Sequence, residues 1–119
     1  MLDVLCRPDQ VVAVAQTMDA EGFFLEAISG VDWIDQHQLE VIYDYNWLDG
    51  QQCRVMVRTF LPRTEPVVPT ITGVFAAADW HERETFDFYG VQFQGHPNLI
   101  RILLPEDADF HPLLKDFTP

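Results

Sequence analysis

The chain reads as an α+β domain over residues 1–119, with an N-terminal helix, an antiparallel β-meander of three to four strands, and two helices packed on one face. Two consecutive runs between residues 39 and 59 alternate apolar and polar side chains with the period of half-buried strands. Segment 11–18 places its apolar residues at helical spacing instead, and 80–89 is bounded by a capping-box pattern and a glycine stop. The strand-like runs follow one another through short turn signals rather than through helices, which argues for a meander and against a βαβ sheet.

The elements follow in chain order. Pro8 opens a helix at its first position and Gly22 closes it. Val11, Val14, Ala15 and Met18 fall at i, i+3, i+4 and i+7 as one apolar stripe. Residues 23–29 form a strand with Phe23, Leu25 and Ala27 on one face, and Gly30 and Asp32 bring a turn. Leu39, Val41, Tyr43 and Tyr45 alternate with Glu40, Ile42, Asp44 and Asn46; Cys53, Val55, Val57 and Thr59 alternate with Arg54, Met56 and Arg58. A two-residue turn at Asp49-Gly50 would set opposite faces of these strands together. A three-residue loop over 48–50, with Gly50 left-handed, pairs residue 43 with 55 and 41 with 57. It sets Asp44 opposite Arg54 and Glu40 opposite Arg58, cross-strand pairs worth about 0.2–1 kcal/mol each. These arginines then serve the sheet rather than clamp a substrate.

Residues 61–69 hold three prolines and read as a loop, followed by a short helix from Pro69 or Thr70 to Phe75. Asp79 with Glu82 three residues later is a capping-box pattern and Gly90 a helix stop, so 80–89 is a helix. Residues 93–95 turn, 99–104 form a short apolar run that could be a last strand, and the tail carries three spaced prolines.

Charge and cysteine content exclude several functions. Seven basic against 19 acidic residues give a net charge of −12. Residues 1–50 hold ten carboxylates and one base, Arg7. Such a surface repels phosphate backbones and anionic lipid, which excludes nucleic acid and favours a basic protein partner. Cys6 and Cys53 are too few for a disulfide framework or for the four thiolates of an iron–sulfur cluster, and they suit a reducing compartment. No run approaches the roughly 18 apolar residues of a membrane span, and the N-terminus lacks a signal-peptide plan. A soluble cytoplasmic chain is expected.

Motifs for chemistry are sparse. His81-Glu82 starts like a zinc-protease helix, but Thr85 stands where HExxH needs histidine. Glu82, Glu84 and Asp87 offer paired carboxylates, yet acids in a helix's first turns, a capping Glu82 and an Arg83–Asp87 pair at i+4 account for them. His96-Pro97 and His111-Pro112, with Asp107 and Asp109 nearby, could bind a metal, though their spacing follows no ligand rule. Gly73, Gly90 and Gly95 form no phosphate loop. Trp80, Phe86, Phe88 and Tyr89 cover more than one face of their helix, so some of them are available to a protein partner.

The run Trp80-His81-Glu82-Arg83-Glu84-Thr85-Phe86-Asp87-Phe88-Tyr89-Gly90-Val91 resembles the signature of the 30-kDa subunit family of NADH–quinone oxidoreductase, respiratory complex I. The match continues through Phe93, Gly95-His96-Pro97, Leu99 and Arg101-Ile102-Leu103, then His111-Pro112-Leu113 and Lys115-Asp116-Phe117, with Gly30-Val31-Asp32-Trp33 and Val68-Pro69 as upstream landmarks. Asp79 stands where the family usually has Asn, Ile100 where it often has a first arginine, and Leu114 where it has another. The Tyr-Gly-Phe usually found before the second block is missing, and the long C-terminal extension common in complex I versions is not expected here. Short versions resemble subunits of energy-converting membrane-bound [NiFe] hydrogenases.

The resemblance implies a non-catalytic, cofactor-free structural subunit of the peripheral arm, with no metal and no catalytic residues of its own. It would dock on the hydrogenase-like large subunit and near the small iron–sulfur subunit, at the cytoplasmic face of the inner membrane, supporting electron transfer to quinone. The expected docking surface is Trp80, Glu82, Arg83, Glu84, Asp87, Tyr89, His96, Arg101, Lys115 and Asp116. The alternatives are the equivalent hydrogenase subunit, an independent metal-binding enzyme using His96 and His111, and a small regulatory binding module. Through its partner surface the isolated chain could also form a homo-oligomer in a crystal.

Overall fold

Alternation along three long strands builds the centre of the protein. The computed structural model describes residues 2–47, 53–105, 108 and 110–116. β1 is Leu2–Leu5; a 3-10 turn at Pro8–Gln10 leads into α1, Val11–Ala20. β2 is Phe23–Trp33, β3 Gln38–Trp47 and β4 Arg54–Pro62. β5 is Val67–Pro69, α2 Ala78–Tyr89 and β6 Gln92–Gln94. The class is α+β as expected, with a main sheet in the order β1-β4-β3-β2 and a small parallel pair, β5-β6.

Leu39, Val41, Tyr43 and Tyr45 of β3 and Val55, Val57, Thr59 and Leu61 of β4 point to one face and are buried there. α1 adds Val11 and Ala15 to the same core, and α2 lays Tyr89 against Gly30, which pairs with Val41. Both helices therefore cover one face. The other face carries two ion-pair ladders: Arg54 holds Asp44 at 2.9 Å and Glu26 at 3.5 Å, and Arg58 holds Asp3 at 2.9 Å and Glu40 at 3.1 Å. Trp33 Nε1–H donates to Glu40 at 3.0 Å.

The structure corrects several expectations. Tyr43 pairs with Val57 and Val41 with Thr59, two residues out from the expected register. Parity is kept, so the same side chains are buried, and the arginine pairs form on the diagonal rather than directly across. The loop proposed at 48–50 lies outside the described residues. β2 runs through Gly30 and Asp32, and the chain turns only at Ile34–Gln36, where His37 takes φ 57°. Gly30 is a packing glycine: a Cβ there would meet the Tyr89 ring at 2.6 Å. A bulge between Leu25 and Ala27 shifts the alternation, so Ile28 replaces Ala27 in the core.

β1 is an unexpected fourth strand, parallel to β4 and therefore without any local turn signal, which makes the sheet mixed. Residues 61–69 are not all loop and 93–95 not simply a turn, because β5 pairs with β6; a two-stranded edge tolerates Pro66 and Pro69. The expected helix before Phe75 is a single turn, with Val74 and Phe75 N–H both donating to the Ile71 carbonyl. Residues 99–104 form no strand. α2 starts after Ala77 without a side-chain cap, so Asp79 sits inside its first turn; Gly90, at φ 78°, ends it with its N–H on the Phe86 carbonyl.

Candidate partner-docking surface

α2 is amphipathic in an unusual way: its inward stripe includes two carboxylates, Glu82 and Asp87, both 0% exposed. A carboxylate buried at that depth needs several donors or it protonates. The two solve this differently.

Glu82 does not reach back to cap its own helix. Its Oε2 accepts the Ile71 N–H at 2.9 Å and its Oε1 the Thr70 hydroxyl, tying the turn before α2 to the helix. Among the described residues no guanidinium or ammonium pairs with it, and the nearest basic nitrogen is His96 Nε2 at 4.0 Å. Burial pushes the carboxyl up to about 7, against the pull of the Ile71 and Thr70 donors. The His96 side chain is itself buried; its Nε2–H faces Asp79 at 2.9 Å and its Nδ1 accepts the Asn98 N–H at 2.9 Å.

Asp87 is the hub of the segment that follows β6. Its Oδ2 accepts the N–H groups of Ile102, Leu103 and Leu104 at 2.9, 2.7 and 3.2 Å. Burial pushes its carboxyl up, and those donors with Arg101 more than reverse the effect, leaving it below the usual carboxylate range. Arg101 pairs with Asp87 Oδ1 at 3.2 Å, donates to the carbonyls of Asp87, Ala108 and Phe110 at 2.7, 2.8 and 2.8 Å, and lies over Phe86 at 5.5 Å. His111 Nδ1–H donates to the Asp87 carbonyl at 3.0 Å, and Leu113 N–H to that of Phe88 at 3.1 Å.

A third tie lies at the end of β2. Asp32, 2% exposed, takes Arg63 in a two-pronged pair at 2.8 and 3.0 Å and the Lys115 N–H at 2.7 Å. The Arg63 guanidinium holds the Asp32 carboxyl below its usual range. Arg63 also grips Asp116 at 2.7 Å, and the Lys115 ammonium lies 5.9 Å from the Trp33 ring centre. The Asp87 and Asp32 ties strap the described residues between 101 and 116 across α2 and the sheet end, while Glu82 fixes the turn before α2.

The ten residues expected on a docking surface thus divide. Glu82, Asp87, His96 and Arg101 face inward and hold the strap and turn. Tyr89 is half-buried on Gly30. Trp80, 52% exposed, donates its Nε1–H to Glu84 at 2.6 Å on the outer side of α2. Arg83 does not pair with Asp87; its Nε–H faces the Ile100 carbonyl at 3.5 Å. Lys115 and Asp116 are exposed. The strap adds Ile100, Leu103, Phe110 and Leu113, each at least 39% exposed. Asp32 and Thr70 as ties, and Arg63 altogether, were missed; nothing local in the sequence marks Arg63, because its partners come from β2 and the strap.

His96 and His111 belong to separate clusters, around Asp79 and Asp87 respectively. Among the described residues no group of three or more His, Cys, Asp or Glu side chains is placed to hold a metal ion. Asp107 and Asp109, considered with them, lie outside those residues. No described helix is long and apolar enough to cross a membrane.

This architecture defines a class first, an α+β module seen in respiratory assemblies. The fold superposes on the trypsin-resistant fragment of Nqo5 with TM-score 0.74 and 30% identity, covering 82% of this chain and 81% of that one. It also superposes on a chain of the membrane-bound sulfane sulfur reductase, an archaeal respiratory membrane complex, with TM-score 0.87 and 25% identity, covering 98% of this chain and 71% of that one. The chain belongs to the family described as respiratory-chain NADH dehydrogenase, 30 Kd subunit, which it matches over residues 4–119. An NADH-quinone oxidoreductase subunit of Roseiflexus sp. is 39% identical over 97% of this chain and 68% of its own length. The corresponding subunit of Chloroherpeton thalassium is 39% identical over 79% of this chain, which spans only 39% of that relative. NADH-quinone oxidoreductase subunit 5 of Thermus thermophilus is 39% identical over 82% of this chain and 52% of its own length.

Proposed function

We propose that this chain is a non-catalytic structural subunit of the peripheral arm of a complex I-type NADH–quinone oxidoreductase. It docks on the hydrogenase-like large subunit, beside the small iron–sulfur subunit, on the cytoplasmic side of the membrane, and holds the electron-carrying subunits in register. The observation that carries this reading is the strap. Its described residues form neither helix nor strand and are fixed by buried charged ties, and with α2 they turn outward Trp80, Ile100, Leu103, Phe110 and Leu113. Apolar side chains held out on a rigid backbone are what an obligate interface needs. The names of the relatives point the same way. A second reading is the equivalent subunit of a membrane complex other than complex I, an energy-converting hydrogenase among them; the superposition of 98% of the chain on a subunit of the sulfane sulfur reductase supports an owner outside complex I.

Affinity purification of the tagged chain from gently solubilised native membranes tests both. Recovery of the large and iron–sulfur subunits is expected, with NADH-oxidising flavoprotein subunits marking complex I and a nickel–iron large subunit the second reading. A chain that elutes alone overturns both.

A further inference from the structure

We propose that the outer edge of β1, with the groove between β1 and α1, receives an extended basic segment of a partner subunit as a fifth strand of the main sheet, an inference that rests on the subunit role above. β1 ends the sheet, and among the described residues no strand lies beyond it. Cys6 donates its N–H to the Arg58 carbonyl at 2.9 Å on the inner side; backbone groups alternate along a strand, so those of Asp3 and Leu5 face outward. Such an edge is a template for another strand. Proteins ordinarily blunt an edge of this kind with charge or proline. Here the charge within β1, Asp3, is taken up by Arg58 at 2.9 Å, and Leu2 and Leu5 stand on the edge at 58% and 71% exposure.

Beside the edge is a cavity of about 430 Å³ whose lining is mostly apolar, Val4, Leu5, Val14 and Met18 among it, with Gln10 and Thr17 as its polar members. It shares Leu5 and Cys6 with a second cavity of about 370 Å³ that reaches Pro8 and Phe60. α1 commits Val11 and Ala15 to the core and leaves Val14 and Met18 half-buried over the groove. A strand added about 4.8 Å beyond β1 would bring alternate side chains beneath Val14 and Met18.

Charge selects the occupant. Asp3, Asp9, Asp19 and Glu21 are exposed on and around β1 and α1 against two bases, Arg58, which holds Asp3 at 2.9 Å, and Arg7, which is tied to Asp9 at 3.2 Å, so acids stay in excess there. A second copy of this chain would bring the same acids together at the edge. A segment with Lys or Arg flanking a few apolar residues meets them with opposite sign.

The test is hydrogen exchange on the purified native complex and on the isolated full chain. The Asp3 and Leu5 amides should exchange freely in the isolated chain and slow by about tenfold or more on assembly. An assembled complex in which both amides still exchange freely overturns the edge while leaving the subunit role standing. A chain that never assembles overturns the subunit role and this inference together. Protection appearing in the isolated chain with rising concentration assigns the edge to a second copy and overturns the basic segment. Leu5→Lys, at an exposed position, should leave the melting temperature unchanged and cut recovery of partner subunits about tenfold; undiminished recovery counts against the proposal.

Discussion

Glu82 shows how one residue can be recognised and still misassigned. The Asp-x-x-Glu spacing is the same whether the glutamate turns back to cap its helix or out to a neighbouring turn. What distinguishes the two is the position of Thr70 and Ile71, which comes from the tertiary fold. The consequence is a pH dependence with a defined sign. The folded carboxyl titrates at about 7 against an ordinary value of 4.5, so its contribution to stability is fully present below 4.5 and is lost as pH rises through 7. The loss is on the order of 3 kcal/mol. Urea denaturation of Glu82→Gln should be flat across that window where the parent chain weakens; parallel curves would refute the assignment. Asp32 and Asp87 act in the opposite sense: both titrate below their ordinary value, so their contribution is lost as pH falls through the acid range. Gly30→Ala should destabilise by about 1–3 kcal/mol through overpacking against Tyr89, and combining it with Tyr89→Leu should recover part of that, measured as a double-mutant cycle.

Among the elements, those with a local pattern were legible and those defined by distant partners were not. β3, β4 and α1 announce themselves by period, and α2 by its bounding signals, of which Gly90 marks the end. β1, β5 and β6 are three or four residues long and pair in parallel with segments far along the chain, so no turn or alternation reveals them. The strap is likewise invisible locally, since its order comes from buried side chains on α2 and β2. Arg101→Ala leaves Asp87 buried without its cation and should cost about 3–5 kcal/mol. It should also make residues 101–113 sensitive to protease while the amides of β3 stay protected. Equal loosening of strap and sheet would mean that the strap is not a separable element.

For the whole molecule, most of the candidate surface was legible as a stretch of sequence, but which residues face outward was not. Glu82, Asp87, His96 and Arg101 lie in the family signature, and burial assigns them to holding the chain's own segments in place; Trp80, Arg83 and Glu84 remain on the outside. Arg83→Ala should therefore lower recovery of the assembled complex while shifting the melting temperature of the isolated chain little. Unchanged assembly with a large drop in melting temperature would invert that division. The Asp32–Lys115 bond, finally, closes over a sequence separation of 83 residues, whereas Asp32 and Arg63 are only 31 apart. Long closures carry the larger entropic cost and form after nearer contacts are in place. During synthesis the sheet and α2 can fold while the strap has yet to emerge, and the strap's own apolar side chains take position only when that segment is made. A truncated or stalled chain would then lack that part of the face that partners recognise, so the order of folding itself screens which copies enter an assembly.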